Sequence, residues 1–275
     1  MKSQLIRMVT SDNSELQGLL YDAHPGTVAL HLHGIWGNFY ENPFIDHFAS
    51  FYPEHGLSFL TVNTRDHDGG AIYSQFSDCL QDIDSILSFA ARKGYQEAIL
   101  QGHSLGALKA AYYLLHVRPE LHPIKVKGLV LLSPFDNIAF YSSNNSDLRV
   151  QQLTKVRAAL QSDPRALVPE DVWGTWMLSA NTYLELVEDG GKADIFPFRR
   201  RTLRETAITK LDIPVFAAVG GSDFAASPSP ASEYAQLREL PNVTPVLIDG
   251  APHNFAGCEP VLLSHLLEWL RPTTK

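Results

Sequence analysis

The sequence predicts an α/β fold: a mostly parallel sheet covered by helices on both faces, with a helical insertion over one edge. Three observations predict it. Short continuous apolar runs, such as Thr27-Val28-Ala29-Leu30-His31-Leu32 and Leu129-Val130-Leu131-Leu132, alternate with segments whose apolar residues recur at helical spacing. That alternation belongs to parallel sheets buried on both sides. One such run, Ala98-Ile99-Leu100, leads into Gly102-His103-Ser104-Leu105-Gly106 and then into a helix face made by Leu108, Ala111, Tyr112 and Leu115. Finally, the alternation stops at Asp136 and resumes only after about Thr206, leaving a stretch without strand-like runs.

Taken in order, residues 5–9 and 16–21 read as an antiparallel pair of edge strands joined by the turn formers Ser11-Asp12-Asn13-Ser14. The buried strand from Thr27 follows and ends in His33-Gly34-Ile35-Trp36-Gly37-Asn38. A helix over about 42–52 and a strand over 57–62 come next, then a helix whose face carries Phe76, Leu80, Ile83, Leu87 and Ala90 and which stops at Gly94. After the strand and helix around Ser104, and the strand at Leu129, the interrupted stretch carries helical segments around 148–160 and 169–187, with Trp173, Trp176 and Met177 among them. The pattern resumes with a strand over 214–219, a helix near 231–237, a strand over 243–248 and a last amphipathic helix bearing Leu262, Leu266 and Trp269. The expected organisation is a core of residues 1–135 and 207–275 with residues 136–206 inserted as a cap.

The 275 residues suffice for one such domain with an insertion, and 45% hydrophobic with 19% charged residues is globular composition. A net charge of -8 spread along the chain argues against nucleic acid as a partner. Two cysteines, Cys79 and Cys258, make neither a disulfide framework nor a metal cluster. No run has the length of a membrane span and the first residues lack a signal peptide's apolar core, so the expectation is a cytoplasmic protein without membrane insertion. Arg199-Arg200-Arg201 with Arg204 forms the one basic patch, read either as a means of drawing in an anionic substrate or, preferably, as a solvated helix face.

The chemistry lies in the loops that follow the strands. A Gly-x-Ser-x-Gly turn between strand and helix forces its serine into a strained conformation, lifts the Ser104 hydroxyl out of the sheet and aims the Leu105 N–H at a developing oxyanion. Serine needs a base and an orienting acid, arriving later in the chain at strand ends. Gly220-Gly221-Ser222-Asp223 and Gly250-Ala251-Pro252-His253 occupy those places, and of 11 histidines only His253 sits between the last strand and the last helix. Ser104, His253 and Asp223 are therefore the expected nucleophile, base and acid. Asp136 after the strand at Leu129 is the rival acid, although a helix-capping role suits it better, and Asp249 is expected only to shape its turn. The second oxyanion donor is expected from the Ile35 N–H, with Trp36 N–H as fallback; Trp36 and His103 are the candidate substrate contacts, with Phe39 beside them. No metal or organic cofactor is required.

With Gly102-His103-Ser104-Leu105-Gly106, His33-Gly34-Ile35, Asp223 and His253 in view, the chain resembles the α/β-hydrolases over nearly its whole length. The resemblance implies an eight-stranded, mostly parallel sheet and a serine, aspartate, histidine triad. At finer grain, the loops Trp36-Gly37-Asn38-Phe39-Tyr40-Glu41-Asn42 and Thr61-Val62-Asn63-Thr64-Arg65-Asp66-His67-Asp68 are similar to those of feruloyl-esterase-type and siderophore-esterase-like small esterases. The latter often carry threonine where this chain has Leu105. The expected activity is hydrolysis of a small-molecule carboxylic ester or lactone through an acyl-enzyme. Thioester hydrolysis, acyl transfer or carbon-carbon bond hydrolysis on the same triad are the alternatives within enzymes; a silent ligand-binding protein is the alternative outside them.

Overall fold

The computed structural model describes residues 3–23, 26–41, 43–117, 122–142, 145–163, 165–169 and 177–273. Eight strands form one sheet: β1 (Ser3–Val9), β2 (Glu15–Tyr21), β3 (Thr27–Leu32), β4 (Ser58–Asn63), β5 (Glu97–His103), β6 (Lys125–Leu132), β7 (Val215–Gly220) and β8 (Val243–Ile248). Their order across the sheet is β1-β2-β4-β3-β5-β6-β7-β8. All neighbours from β4 to β8 pair in parallel, and only β2 runs against the rest, antiparallel to both β1 and β4. The expectation of two edge strands is thus corrected: β1 is the edge, whereas β2 lies one place inside and pairs Leu19 with Thr61. The hydrophobic pattern of β2 is one-sided, with Leu16, Gly18 and Leu20 buried, which suits an interior strand with little cover on its other face.

Helices α1 (Pro43–Glu54), α2 (Cys79–Arg92) and α3 (Leu105–His116) connect strands in the first half. Helices α4 (Asn137–Tyr141), α5 (Ser146–Ser162) and α6 (Ala180–Val187) lie between β6 and β7; α7 (Pro230–Leu237) and α8 (Glu259–Thr273) complete the chain. Two apolar clusters flank the sheet. Ile83, Leu87, Leu108, Ala111 and Leu237 pack on one face, while Phe44, Phe48, Leu262, Leu266 and Trp269 pack on the other. Burial of such side chains, worth about 1.5–3 kcal/mol each, holds the helices to the sheet. Cys79 is buried in the first cluster. No described helix is long and apolar enough to cross a membrane.

The segment between β6 and β7 holds no described strand beyond an isolated bridge from Leu167 to Ser179. The helix expected over 169–187 is described only as α6; Trp173 and Trp176 lie outside the described residues, and Met177 is exposed. Residues 199–201 form no helix, which corrects the solvated-helix reading of the arginines. Arg199 instead turns inward: its backbone N–H donates to Asp136 Oδ2 at 2.6 Å, and its guanidinium donates to Asp136 Oδ1 at 2.9 Å, to Asp194 Oδ1 at 2.9 Å and to Asp189. Asp136 also caps α4, accepting the Ala139 N–H at 3.0 Å. Buried carboxylates demand such partners, because an unpaired charge in the interior costs several kcal/mol.

Candidate active site

At the end of β5 the backbone turns sharply, and Ser104 adopts φ 56 and ψ -125. A non-glycine residue in that region is strained and persists only where its surroundings fix it. The surroundings are glycines: a Cβ on Gly102 would lie 2.1 Å from the Gly106 carbonyl oxygen, and one on Gly106 would lie 2.2 Å from the Leu32 carbonyl oxygen. Only bare backbone lets α3 approach β5 and β3 this closely. The Ser104 N–H donates to the Leu132 carbonyl at 2.9 Å, tying the turn to the end of β6.

Ser104 faces a cavity of about 170 Å³ lined by Gly34, Ile35, Gly37, His103, Phe135, Phe140, Tyr141, Phe224, Ala225 and His253. His253, in the loop after β8, hydrogen-bonds through Nδ1 to both carboxylate oxygens of Asp223, at 2.8 and 2.9 Å. Asp223 Oδ1 also accepts the Ala225 N–H at 2.8 Å. Burial raises the Asp223 pKa, but the bond and charge of His253 more than offset it, so the carboxyl sits below its ordinary value and stays ionised. Asp136, by contrast, is committed to α4 and Arg199, and among the described hydrogen bonds none joins it to His253. Asp249 precedes Gly250, which has φ 69.

Two further groups hold the histidine loop. His103 Nε2 donates to the His253 carbonyl at 2.9 Å and Ser133 Oγ donates to the same oxygen at 2.8 Å. Burial, followed by the nearby His253, pushes the His103 pKa down to about 3, so its ring stays neutral with its proton on Nε2. The role of Ser133 is not apparent from the sequence; the only trace is its place at the strand end in Ser133-Pro134-Phe135, and its φ of 49 appears only in three dimensions.

The structure brings Ser104, His253, His103 and Ile35 to one cavity, with Asp223 directly behind His253. Leu105 opens α3 next to Ser104; it is buried and, with Ile35, lines a smaller cavity of about 10 Å³. Trp36 is not brought to the wall of the larger cavity; it packs, partly buried, against the core. The apolar wall is supplied instead by Phe135, Phe140, Tyr141 and Phe224. Phe140 belongs to α4 and Phe224 follows Asp223; their ring centroids are 5.9 Å apart, and the Phe224 ring lies 5.0 Å from that of His253. Phe224 is 73% exposed. Among the described residues no cluster of His, Cys, Asp and Glu has the form of a metal site.

Comparison with known proteins bears on the family and the fold. The family model described as serine aminopeptidase, S33, matches residues 46–259. An esterase of Pyrococcus furiosus superposes with a TM-score of 0.63 at 17% identity, over 98% of this chain and 91% of that one. Est1E from Butyrivibrio proteoclasticus, solved with ferulic acid bound, gives 0.67 at 18% identity over 97% and 98%. The α/β hydrolase GrgF from a Penicillium species gives 0.66 at 11% over 99% of both chains. At such identities these structures show a shared fold. A comparison with the curated proteins finds no match. With an eight-stranded sheet, a serine at the β5–α3 turn and a family match spanning most of its length, the chain belongs to the serine aminopeptidase S33 family and is an α/β-hydrolase.

Proposed function

We propose that the protein cleaves a carboxylic ester or lactone of a small molecule through an acyl-enzyme on Ser104. The observation that carries the reading is the two-oxygen contact of Asp223 with His253 Nδ1, beside a cavity that His253 shares with the strained Ser104. The Nδ1–H bond leaves the lone pair on Nε2, where it can take the serine proton. Ser104 Oγ then attacks the carbonyl, and the N–H groups of Ile35 and Leu105 receive the oxyanion. His253 returns the proton to the departing alkoxide, water repeats the attack, and the acid is released. Asp223 remains ionised throughout and steadies the imidazolium.

The cavity's lining supports an uncharged, apolar substrate. Among the described residues the cavity is lined by four aromatic side chains and no carboxylate, so a free α-amino group would find no counter-charge among them. We read residues 136–206 as the cap, because α4 supplies Phe140 and Tyr141 to the cavity wall. The test is intact mass after exposure to a fluorophosphonate, together with turnover of p-nitrophenyl butyrate, on the wild type and Ser104→Ala. One adduct and turnover on the wild type, with neither adduct nor more than about 1/10⁴ of the rate on the variant, is the expected result. Full activity in Ser104→Ala would refute the assignment.

A further inference from the structure

Beneath the candidate oxyanion loop lies a chain of buried polar groups that the proposed chemistry does not itself use. Lys109 sits on α3, four residues after Leu105, and is 3% exposed; it forms an ion pair with Asp66, from the loop after β4. Thr64 Oγ1 donates to the other Asp66 oxygen at 2.7 Å, and the Thr64 N–H donates to His33 Nε2 at 3.0 Å. Because Nε2 accepts a backbone N–H, the ring proton must be on Nδ1, which donates to the Gly34 carbonyl at 2.6 Å. The Gly37 N–H donates to the same oxygen at 3.1 Å. His33 and Thr64 are each 1% exposed.

The Gly34 carbonyl and the Ile35 N–H belong to one planar trans peptide and point in opposite directions. Holding the oxygen therefore sets the direction of the N–H. At the other end of the chain of bonds, Lys109 is anchored on the helix whose first residue carries the Leu105 N–H. Asp66, Lys109, Ile35 and Leu105 also line the same small cavity of about 10 Å³.

We propose that Lys109, Asp66, Thr64 and His33 act as a positioning relay that locks the Ile35 N–H in register with the Leu105 N–H, fixing the two oxyanion donors relative to each other. This rests on the reading of those N–H groups as the oxyanion hole. The relay does not touch substrate; it acts on the orientation of one peptide. The charged pair at its head stays intact at neutral pH, since burial raises the Asp66 pKa but Lys109 lowers it further, to below its ordinary value. Burial first of all holds the His33 pKa down to about 4, so its ring remains neutral and its tautomer unchanged.

Gly34-Ile35 is the only Gly-Ile dipeptide in the sequence, so protein carrying ¹³C-carbonyl glycine and ¹⁵N-isoleucine gives a single carbonyl-coupled amide signal, that of Ile35. This signal and its hydrogen exchange would be recorded for the wild type, Thr64→Val, His33→Leu and His33→Asn. The kcat and KM for p-nitrophenyl butyrate would be measured alongside and normalised to fluorophosphonate-titrated sites. Replacing His33 with leucine should shift the Ile35 signal, speed its exchange and lower kcat by about tenfold to a hundredfold, with KM within twofold. His33→Asn, whose amide nitrogen takes the place of Nδ1, should return both signal and kcat most of the way. Thr64→Val, a smaller change less apt to disturb folding, should give a partial shift in the same direction. An Ile35 signal that does not move in His33→Leu or Thr64→Val overturns the relay, even if Tm falls. A wild type without turnover or adduct would refute the proposed function, and the Ile35 signal would still decide for or against the relay.

Discussion

Glu233 is a carboxyl side chain that the fold holds in the wrong protonation state for water. It is 1% exposed, its Oε1 accepts a single N–H from Ser227 at 3.1 Å, and burial, with smaller additions from the charges of Asp223 and Asp136, raises its pKa from 4.5 to about 9. In the unfolded chain this group ionises at its ordinary value of 4.5, whereas the folded chain keeps the proton up to about pH 9. Its contribution to stability is therefore complete below pH 4.5 and is lost as pH rises toward 9. The slope is about 1.4 kcal/mol per pH unit, or about 4 kcal/mol at pH 7.5. That is a large share of a typical folding free energy of roughly 5–15 kcal/mol. Replacing Glu233 with glutamine keeps the acceptor for Ser227 and removes the titration. Urea unfolding of both proteins at half-unit steps from pH 5.5 to 8 should give a difference that grows steadily in favour of Glu233→Gln. Any constant offset reports the amide's own fit; the slope reports the buried carboxyl. Parallel stability curves across that range would refute the reasoning.

Other substitutions probe separate parts of the molecule. Asp223→Asn should leave Tm nearly unchanged and lower kcat by about 10⁴-fold, because an amide can present an N–H to Nδ1 and reverse the imidazole tautomer; a loss under tenfold would return the acid role to another residue. Gly106→Ala places a methyl 2.2 Å from the Leu32 carbonyl oxygen, so α3 must move off β3. The expected cost is about 3 kcal/mol, read as a Tm lower by roughly 5–10 °C, and an unchanged Tm would contradict the packing described. Phe224→Ala removes an exposed ring from the cavity rim, so Tm should hold while kcat/KM falls about tenfold for butyrate or longer acyl esters and less than twofold for acetate. Equal loss on all chain lengths would place Phe224 outside the acyl-binding surface.

Much of the fold was legible because its signals are local. The β5–α3 turn could be located from glycine spacing, and continuous apolar runs marked the inner strands, although β6 starts at Lys125 rather than at Leu129. Lys125 is exposed and Val126 is buried at its start, an alternation that a search for unbroken apolar residues passes over. Two residues named from order alone, Asp223 and His253, do come together, because parallel strands deliver their following loops to one edge of the sheet. What stayed hidden depends on partners distant in sequence. Lys109 is buried on α3 and is satisfied by Asp66, 43 residues away; Arg199 is satisfied by Asp136, 63 residues away. The place of Trp36 beside the His33-Gly34-Ile35 loop makes it a pocket candidate in the sequence, but that place does not determine which way a side chain turns.

The order of the strands has a bearing on how the protein comes into being. From β5 onward each new strand joins the edge left by its predecessor, so the sheet widens in the direction of synthesis. The strained Ser104 belongs to the first half of that process, whereas Asp223 follows β7 and His253 follows β8. A growing chain thus carries the proposed nucleophile, Ser104, for more than a hundred residues before the proposed base, His253, is made. On the proposed mechanism, a chain cut short before β8 would carry Ser104 without the histidine that is to activate it.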